Sequence, residues 1–593
     1  MLRHIRYFTH ARIGIPPPGW TAAAHRNGVK VLGTFITEWA EGAADNLRFL
    51  YGPEFDPATD DTAVREFDPF YADRMVAMAQ HYAFDGWFFN IEAPVETPHV
   101  RSMLQMLEYI TGKMHAAVEG SFVLWYDSLT TDGQIRWQDR LSELNKPFFD
   151  VTDGIFVNYT WREDYPAKSA VLAAGRQRKV YTGVDVWGRN TFGGGGYNCH
   201  KALRLIAESG TSAAIFAPAW TYEKLGREAF AAQESRFWCD PSVSVCVPIG
   251  GEGAWSETAA DPQDAGCIST IIRERPAPGS SFFYTDFDRG FGSSYHIDGN
   301  LVHSGTWAHL GRQSVPPTYT TREHWSWLIL SNTQFWKSGS PSANAKMAVC
   351  GGDAWSGGSS LVLEVGSWGG TLFDLFELGV GVQAGSAACV RLRVRAPPSS
   401  VGVFVRMRVG SGLETGWVVF EGGATATPLL DPEAWRTVVV QLDSLADLSD
   451  GACVTGLGIV LVTPAEFSQC LLVQGTGHPS PLPVMRLAAN ANPLVRCRVG
   501  EVYLGPQPLP PDAVSTLSGA APSLRLFDIH RSADQMWFTV EWVDKPTGGD
   551  RTDVPTRGIL GNTTSVHRCE VRWMYPERKK SSRSEKEWGD SKW

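Results

Sequence analysis

The chain has 593 residues, 20% of them charged, and a net charge of -10 at pH 7. That length exceeds what one hydrophobic core supports, so several domains are expected. The acidic balance excludes the basic face that nucleic-acid binding needs. No apolar run approaches the roughly 20 residues that cross a bilayer, and the opening MLRHIRYFTH has no apolar segment of the secretion-signal kind. Neither nucleic acid nor a membrane is therefore expected as a partner, and a monomer in the cytosol is the expected form. The ten cysteines are scattered singly, with no CxxC pair. That pattern fits a reducing compartment and gives no metal-ligand spacing, so no metal and no cofactor are expected.

In chain order, the first ~290 residues alternate short apolar runs with longer amphipathic stretches, the pattern of alternating strands and helices. Strands are expected at 5–8, 29–36, 84–91, 122–125, 154–157, 180–186, 213–217 and 281–284. Helices are expected at 100–118, where Met103, Met106, Leu107, Ile110 and Met114 recur at helical spacing, and at 134–144 and 202–209. Eight such strands predict a (β/α)8 TIM barrel. No glycine-rich dinucleotide turn follows the first strand, which disfavours a doubly wound open sheet. The run Gly193–Gly196 lacks a following Lys-Ser/Thr, so it is expected to be a flexible loop over the barrel mouth rather than a phosphate loop. Beyond about residue 310 the helical periods fade. Short alternating runs at 361–365, 390–394, 401–409, 417–420, 437–442, 457–462 and 499–504 predict a β-sandwich. The expected organisation is a barrel over 1–310, a sandwich resembling a carbohydrate-binding module over 311–506, a small β domain or incomplete sandwich over 507–576, and a disordered tail over 577–593. The run PLPPD at 508–512 reads as a linker.

Function in such a barrel sits at the C-terminal ends of the strands. Here those ends carry Thr9-His10, Glu38-Trp39, Asn90-Ile91-Glu92, Tyr126-Asp127, Asn158-Tyr159-Thr160-Trp161, Asp185-Val186-Trp187 and Trp220. Carboxylates, amides and aromatic rings converging on one mouth describe a carbohydrate cleft, because sugar rings offer apolar C–H faces to aromatic platforms. About two-thirds of the 23 tryptophans are nonetheless expected in cores. Trp137 is expected equally as core or platform. Asn90 and Glu92 are two apart on a strand, so both point to one side. Glu92 can protonate a departing glycosidic oxygen if apolar neighbours raise its pKa. Its neighbour is an amide, a poor nucleophile but a fit partner for the nitrogen of a substrate acetamido group. That group's own oxygen could then attack the anomeric carbon, the substrate-assisted exception to the two-carboxylate rule. Tyr126 could position the acetamido oxygen. Asp127 remains open as acid or as helix cap.

The stretches VLGTFITEWAEG (31–42), FDGWFFNIE (84–92), VLWYDS (123–128), WQDRL (137–141), FFDVTDGIFVNYTW (148–161), VYTGVDVWGR (180–189) and AIFAPAWTYE (214–223) resemble glycoside hydrolase family 85, the cytosolic endo-β-N-acetylglucosaminidases. The resemblance covers residues 5–230 closely and returns at RVGEVYL (498–504). It implies a retaining, substrate-assisted endo-β-N-acetylglucosaminidase. Such an enzyme cleaves the β-1,4 bond between the two N-acetylglucosamines of the N-glycan chitobiose core through an oxazolinium intermediate, and can transglycosylate. It further implies Glu92 as acid/base, Asn90 orienting the acetamido group and Tyr126 assisting. Glu38, Trp39, Trp137, Asn158, Tyr159, Trp161, Asp185, Trp187 and Trp220 would bind sugar. The partners implied are N-linked glycans, glycopeptides or free oligosaccharides. A chitinase-like hydrolase is the alternative, with the pattern DGxDxDxE. Asp85, Gly86 and Glu92 fit that pattern, but Phe88 and Asn90 replace its two later acids. A catalytically inactive glycan-binding barrel is the other.

Overall fold

In the computed structural model, residues 4–226 are described apart from 61, 62 and 64, with most of 268–317 and 345–506 and, elsewhere, separate helices and strands. Seven parallel strands follow one another around a barrel sheet: β1 (His4–Arg6), β2 (Lys30–Glu38), β3 (Gly86–Glu92), β4 (Phe122–Tyr126), β5 (Gly154–Val157), β6 (Val180–Asp185) and β7 (Ser212–Phe216). Helices α1 (Pro18–Arg26), α2 (Trp39–Tyr51), α3 (Phe70–Tyr82), α4 (Thr97–Ala117), α5 (Lys146–Val151), α6 (Tyr165–Leu172) and α7 (Cys199–Glu208) connect them.

Alternation along the strands fixes which side chains meet where. Trp87, Phe89 and Ile91 of β3 lie in a buried cluster with Met103, Met106, Leu107 and Ile110 of α4. Phe88 instead joins Phe122, Leu124, Tyr126 and Phe156 inside the barrel. Burying each large apolar side chain contributes ~1.5–3 kcal/mol. A one-residue slip would exchange these two sets, so the register is strongly held. The same alternation puts Asn90 and Glu92 on the Phe88 side. Trp125 faces outward and stacks on Phe148 of α5, centroids 4.5 Å apart at 6°.

The start of β3 is held by Gly86, at φ 150°. A Cβ there would sit 2.0 Å from the Phe122 carbonyl oxygen, so no other residue fits. Just before it, Asp85 accepts the Val31 amide N–H at 2.7 Å and pairs with His25 at 2.6 Å. Asp153, just before β5, repeats the device. It accepts the Val123 N–H at 2.7 Å and pairs with His115 at 3.0 Å.

Two expectations are corrected. Residues 134–144 do not form a helix: Leu129 bridges Ile135, and Asp127 draws in the N–H groups of Gln138 and Asp139 that a helix would have used internally. The segment expected as the eighth barrel strand forms Phe283–Thr285, which pairs antiparallel with Val502–Leu504 of a different sheet. The reason is apolar: Phe283 and Phe287 are buried with Phe376 and Leu504, and Phe283 lies 4.8 Å from Phe376.

That sheet is one layer of an antiparallel sandwich. It orders Ala345–Gly351, Ser359–Val365, Val495–Pro506, Ala388–Arg395 and Arg436–Gln441, with Phe283–Thr285 joining Val495–Pro506. The second layer orders Gly370–Val382, Ala452–Val462, Val401–Val409, Glu414–Phe420 and Leu471–Gln474. Val390, Leu392 and Val394 point into the shared core, and the alternating Arg391, Arg393 and Arg395 are half-buried on the other face. Residues 507–593 form a separate unit with one three-stranded antiparallel sheet, Arg525–Arg531, Gln535–Val543 and Val566–Met574. The linker expected at 508–512 and the tail at 577–593 lie outside the described residues. Among the described residues, no helix is long and apolar enough to cross a membrane.

Candidate active site

The parallel register sets Glu38 of β2 directly beside Glu92 of β3, and Ile36 beside Asn90. Asn90 is 2% exposed. Its amide hydrogen-bonds the Glu92 carboxyl, and its Oδ1 is buried with no protein partner. A buried amide oxygen without a donor is costly, and it is the atom that an incoming N–H would satisfy. Burial is the main force raising the pKa of Glu92, and the charge of Glu38 adds to it; the Asn90 hydrogen bond and nearby His10 act the other way. Glu38 in turn pairs with His10 at 3.0 Å. Glu92 therefore holds its proton at higher pH than an ordinary glutamate, as a general acid must.

Tyr126 follows at the end of β4 and is 8% exposed. Burial and the charge of Glu92 push its phenol pKa well up, so it stays protonated. Its hydroxyl donates to Asn158 Oδ1 at 3.1 Å, and Asn158 Nδ2 donates to Asp139 Oδ1 at 2.7 Å. Asp127 takes no part in the cleft. Its carboxylate accepts from Gln138 N at 3.1 Å, Asp139 N at 2.7 Å and Asn145 Nδ2 at 2.7 Å. Full burial pushes it up to about 8 against those bonds. It pins the loop that follows β4.

The chain is also similar to known proteins. Residues 2–295 match glycosyl hydrolase family 85. The barrel region of this chain belongs to that family. It is 40% identical over 311 residues to cytosolic endo-beta-N-acetylglucosaminidase 1 of Arabidopsis thaliana, an alignment covering 52% of this chain and 40% of that protein. It is 36% identical over 380 residues to the cytosolic endo-beta-N-acetylglucosaminidase of Homo sapiens, covering 62% and 44%. The chain thus spans less than half the length of these relatives. In three dimensions it is similar to the Endo-D glycoside hydrolase domain of Streptococcus pneumoniae R6. The TM-score is 0.59 at 18% identity, covering 89% of this chain and 74% of that one, a likeness of fold.

In this family 85 barrel the remaining predicted residues separate into two groups. Trp39, Trp137 and Trp187 are exposed at 68%, 42% and 38%. Tyr159 is half-buried and stacks on Phe216 at 5.8 Å and 20°. These rings stand where a sugar can meet them. Trp161 does not: it is 4% exposed, donates its indole N–H to the Gly183 carbonyl at 2.7 Å and stacks on Phe192. Asp185 is fully buried, and both its oxygens are engaged by Arg189 and the Trp187 and Arg189 amides, so it staples the loop after β6. Trp220 starts the short helix Trp220–Glu223 and packs edge-on against Tyr197. The glycine run is not an open loop. All four glycines have positive φ, and Gly195 lies so close to Gly188 that a Cβ would meet its nitrogen at 2.5 Å.

Three residues near the mouth escaped the sequence reading. Phe216 rather than Trp220 ends β7, and Phe8 meets it edge-on at 6.4 Å. Asp139 sits inside the family motif at 137–141 but has no periodicity to mark it. Among the described residues, no group of three or more His, Cys, Asp or Glu could hold a metal ion.

Proposed function

We propose that this chain hydrolyses the β-1,4 bond between the two N-acetylglucosamines of the N-glycan core, as an endo-β-N-acetylglucosaminidase acting with retention. The observation that carries this reading is the Asn90–Glu92 pair: one strand, one side, an amide beside an acid whose pKa burial raises, and a buried amide oxygen left without a donor. Asn90 Oδ1 accepts the acetamido N–H and aims the acetamido oxygen at the anomeric carbon. Glu92 gives its proton to the departing glycosidic oxygen as that C–O bond breaks and the oxazolinium ring closes. Glu92, now a carboxylate, takes a proton from water, which opens the ring from the opposite face. An acceptor sugar in place of water gives transglycosylation. Phe88, where a second acid would stand in a chitinase-like site, lies among the rings of Tyr126 and Phe156.

Glu38, Trp39, Trp137, Tyr159, Trp187 and Trp220 line the mouth as sugar contacts in this reading, and Asn158 acts behind Tyr126. The substrates are N-linked glycans, glycopeptides or free oligosaccharides, bound by a monomer. The cytosol is the proposed location, in keeping with the names of the relatives. The test is incubation with a high-mannose glycopeptide. Release of the glycan with one N-acetylglucosamine left on the peptide supports the reading, and an unchanged glycopeptide overturns it.

A further inference from the structure

Resting on that reading, we propose that Asp139 is a positioning residue for the reaction, acting through Asn158 to fix the place and the donor direction of Tyr126. A carboxylate can only accept hydrogen bonds, whereas an asparagine amide has one accepting and one donating end. Asp139 takes the Nδ2–H end of Asn158 at 2.7 Å, which turns Oδ1 toward Tyr126. The phenol therefore donates, to Asn158 Oδ1 at 3.1 Å. The Trp137 indole N–H, a donor only, acts on the same phenol against the effect of burial. The carboxylate end thus fixes the polarity of the chain Tyr126–Asn158–Asp139, and both hydrogens in it point one way. The arriving acetamido oxygen meets a hydroxyl already placed by Asn158 and shares the Tyr126 proton with Asn158 Oδ1.

The backbone is bent to put Asp139 there. Its φ is +57°, in the left-handed region, where Asp and Asn are tolerated and other side chains rarely are. Asp127 clamps its amide N–H at 2.7 Å, and the Thr160 amide supports its carboxylate. A buried acid thus holds a left-handed turn whose side chain reaches the residue directly behind a catalytic phenol. A loop needing only closure would not require a carboxylate aimed at Asn158.

Asp139→Gly removes the carboxylate and accepts the same φ without strain. It is expected to lower kcat on a high-mannose glycopeptide about ten-fold with KM changed less than about two-fold. Asp139→Asn, whose amide oxygen still accepts from Asn158, is expected to recover most of the rate. The deciding readout is the double-mutant cycle. In a Tyr126→Phe background the Asp139→Gly loss should vanish, because there is no hydroxyl left to direct. Multiplying losses, or a change confined to KM, overturn the role of Asp139 and leave the hydrolase reading standing. A wild-type chain that cleaves no N-glycan overturns both. Thermal unfolding of each variant separates misfolding from lost positioning, and if the glycine variant unfolds, Asn158→Leu carries the same cycle.

Discussion

The two ends of the barrel treat their carboxylates in opposite ways. At the N-terminal end, Asp85 and Asp153 each accept a strand N–H and pair with a histidine, so their oxygens are used in holding neighbouring strands. At the C-terminal end, Glu92 has one amide for company, a like charge beside it in Glu38 and a raised pKa, while the adjacent Asn90 oxygen has no donor. Asp85 and Asp153 thus hold strands together, while at the other end the Asn90 oxygen is left free for a substrate. Unsatisfied groups cost folding energy and are kept where chemistry uses them.

The largest effect expected from breaking this contrast is at Glu92. Glu92→Gln should lower glycan release by about a thousand-fold or more, since a positioned acid contributes 10²–10⁴, and should leave thermal unfolding unchanged. A residual rate within ten-fold of wild type would move the acid elsewhere. Next is Asp127, a top-end carboxylate that behaves like a bottom-end one. Asp127→Ala removes the acceptor of the Gln138 and Asp139 N–H groups and one acceptor of Asn145 Nδ2 and should cost about 2–4 kcal/mol in denaturant unfolding; a change under 0.5 kcal/mol, on the order of surface substitutions, would contradict its role as a loop anchor.

The sequence made the strand ends visible because alternation is a local property. Asn90 and Glu92 were legible as a same-side pair from spacing alone. What spacing could not carry was tertiary competition. Residues 134–144 have helical spacing, yet Asp127 captures their amides from a position outside the segment. The 281–284 run has strand composition, but whether it closes the barrel or edges the sandwich depends on Phe376 and Leu504, far along the chain. Trp161 and Trp187 look alike in sequence; only the partner ring of Phe192 shows one of them to be core.

Two smaller effects sharpen the comparison further. Glu38 raises the Glu92 pKa by like charge, so Glu38→Gln should lower it. The acid form is then lost sooner as pH rises, and the alkaline limb of kcat/KM should move to lower pH. A limb that stays or moves upward would contradict the coupling. At the other end, the Asp85 hydrogen bond raises the His25 pKa. Its contribution to stability is full below the unfolded value near 6.5 and is lost as pH rises through the folded value. With the side chain 41% exposed, solvent screening limits it to a few tenths of a kcal/mol. His25→Gln should therefore lower Tm at pH 5.5 more than at pH 9, and an equal loss at both would contradict the ion pair.

The most direct test of the central claim compares two donors on one variant. Asn90→Ala is measured with an intact high-mannose glycopeptide and with the same glycan supplied as a preformed oxazoline. If Asn90 aims the acetamido group, the rate on the glycopeptide falls by about a hundred-fold or more, about 2.7 kcal/mol of barrier, and the rate on the oxazoline falls far less. Equal losses on the two donors would contradict it.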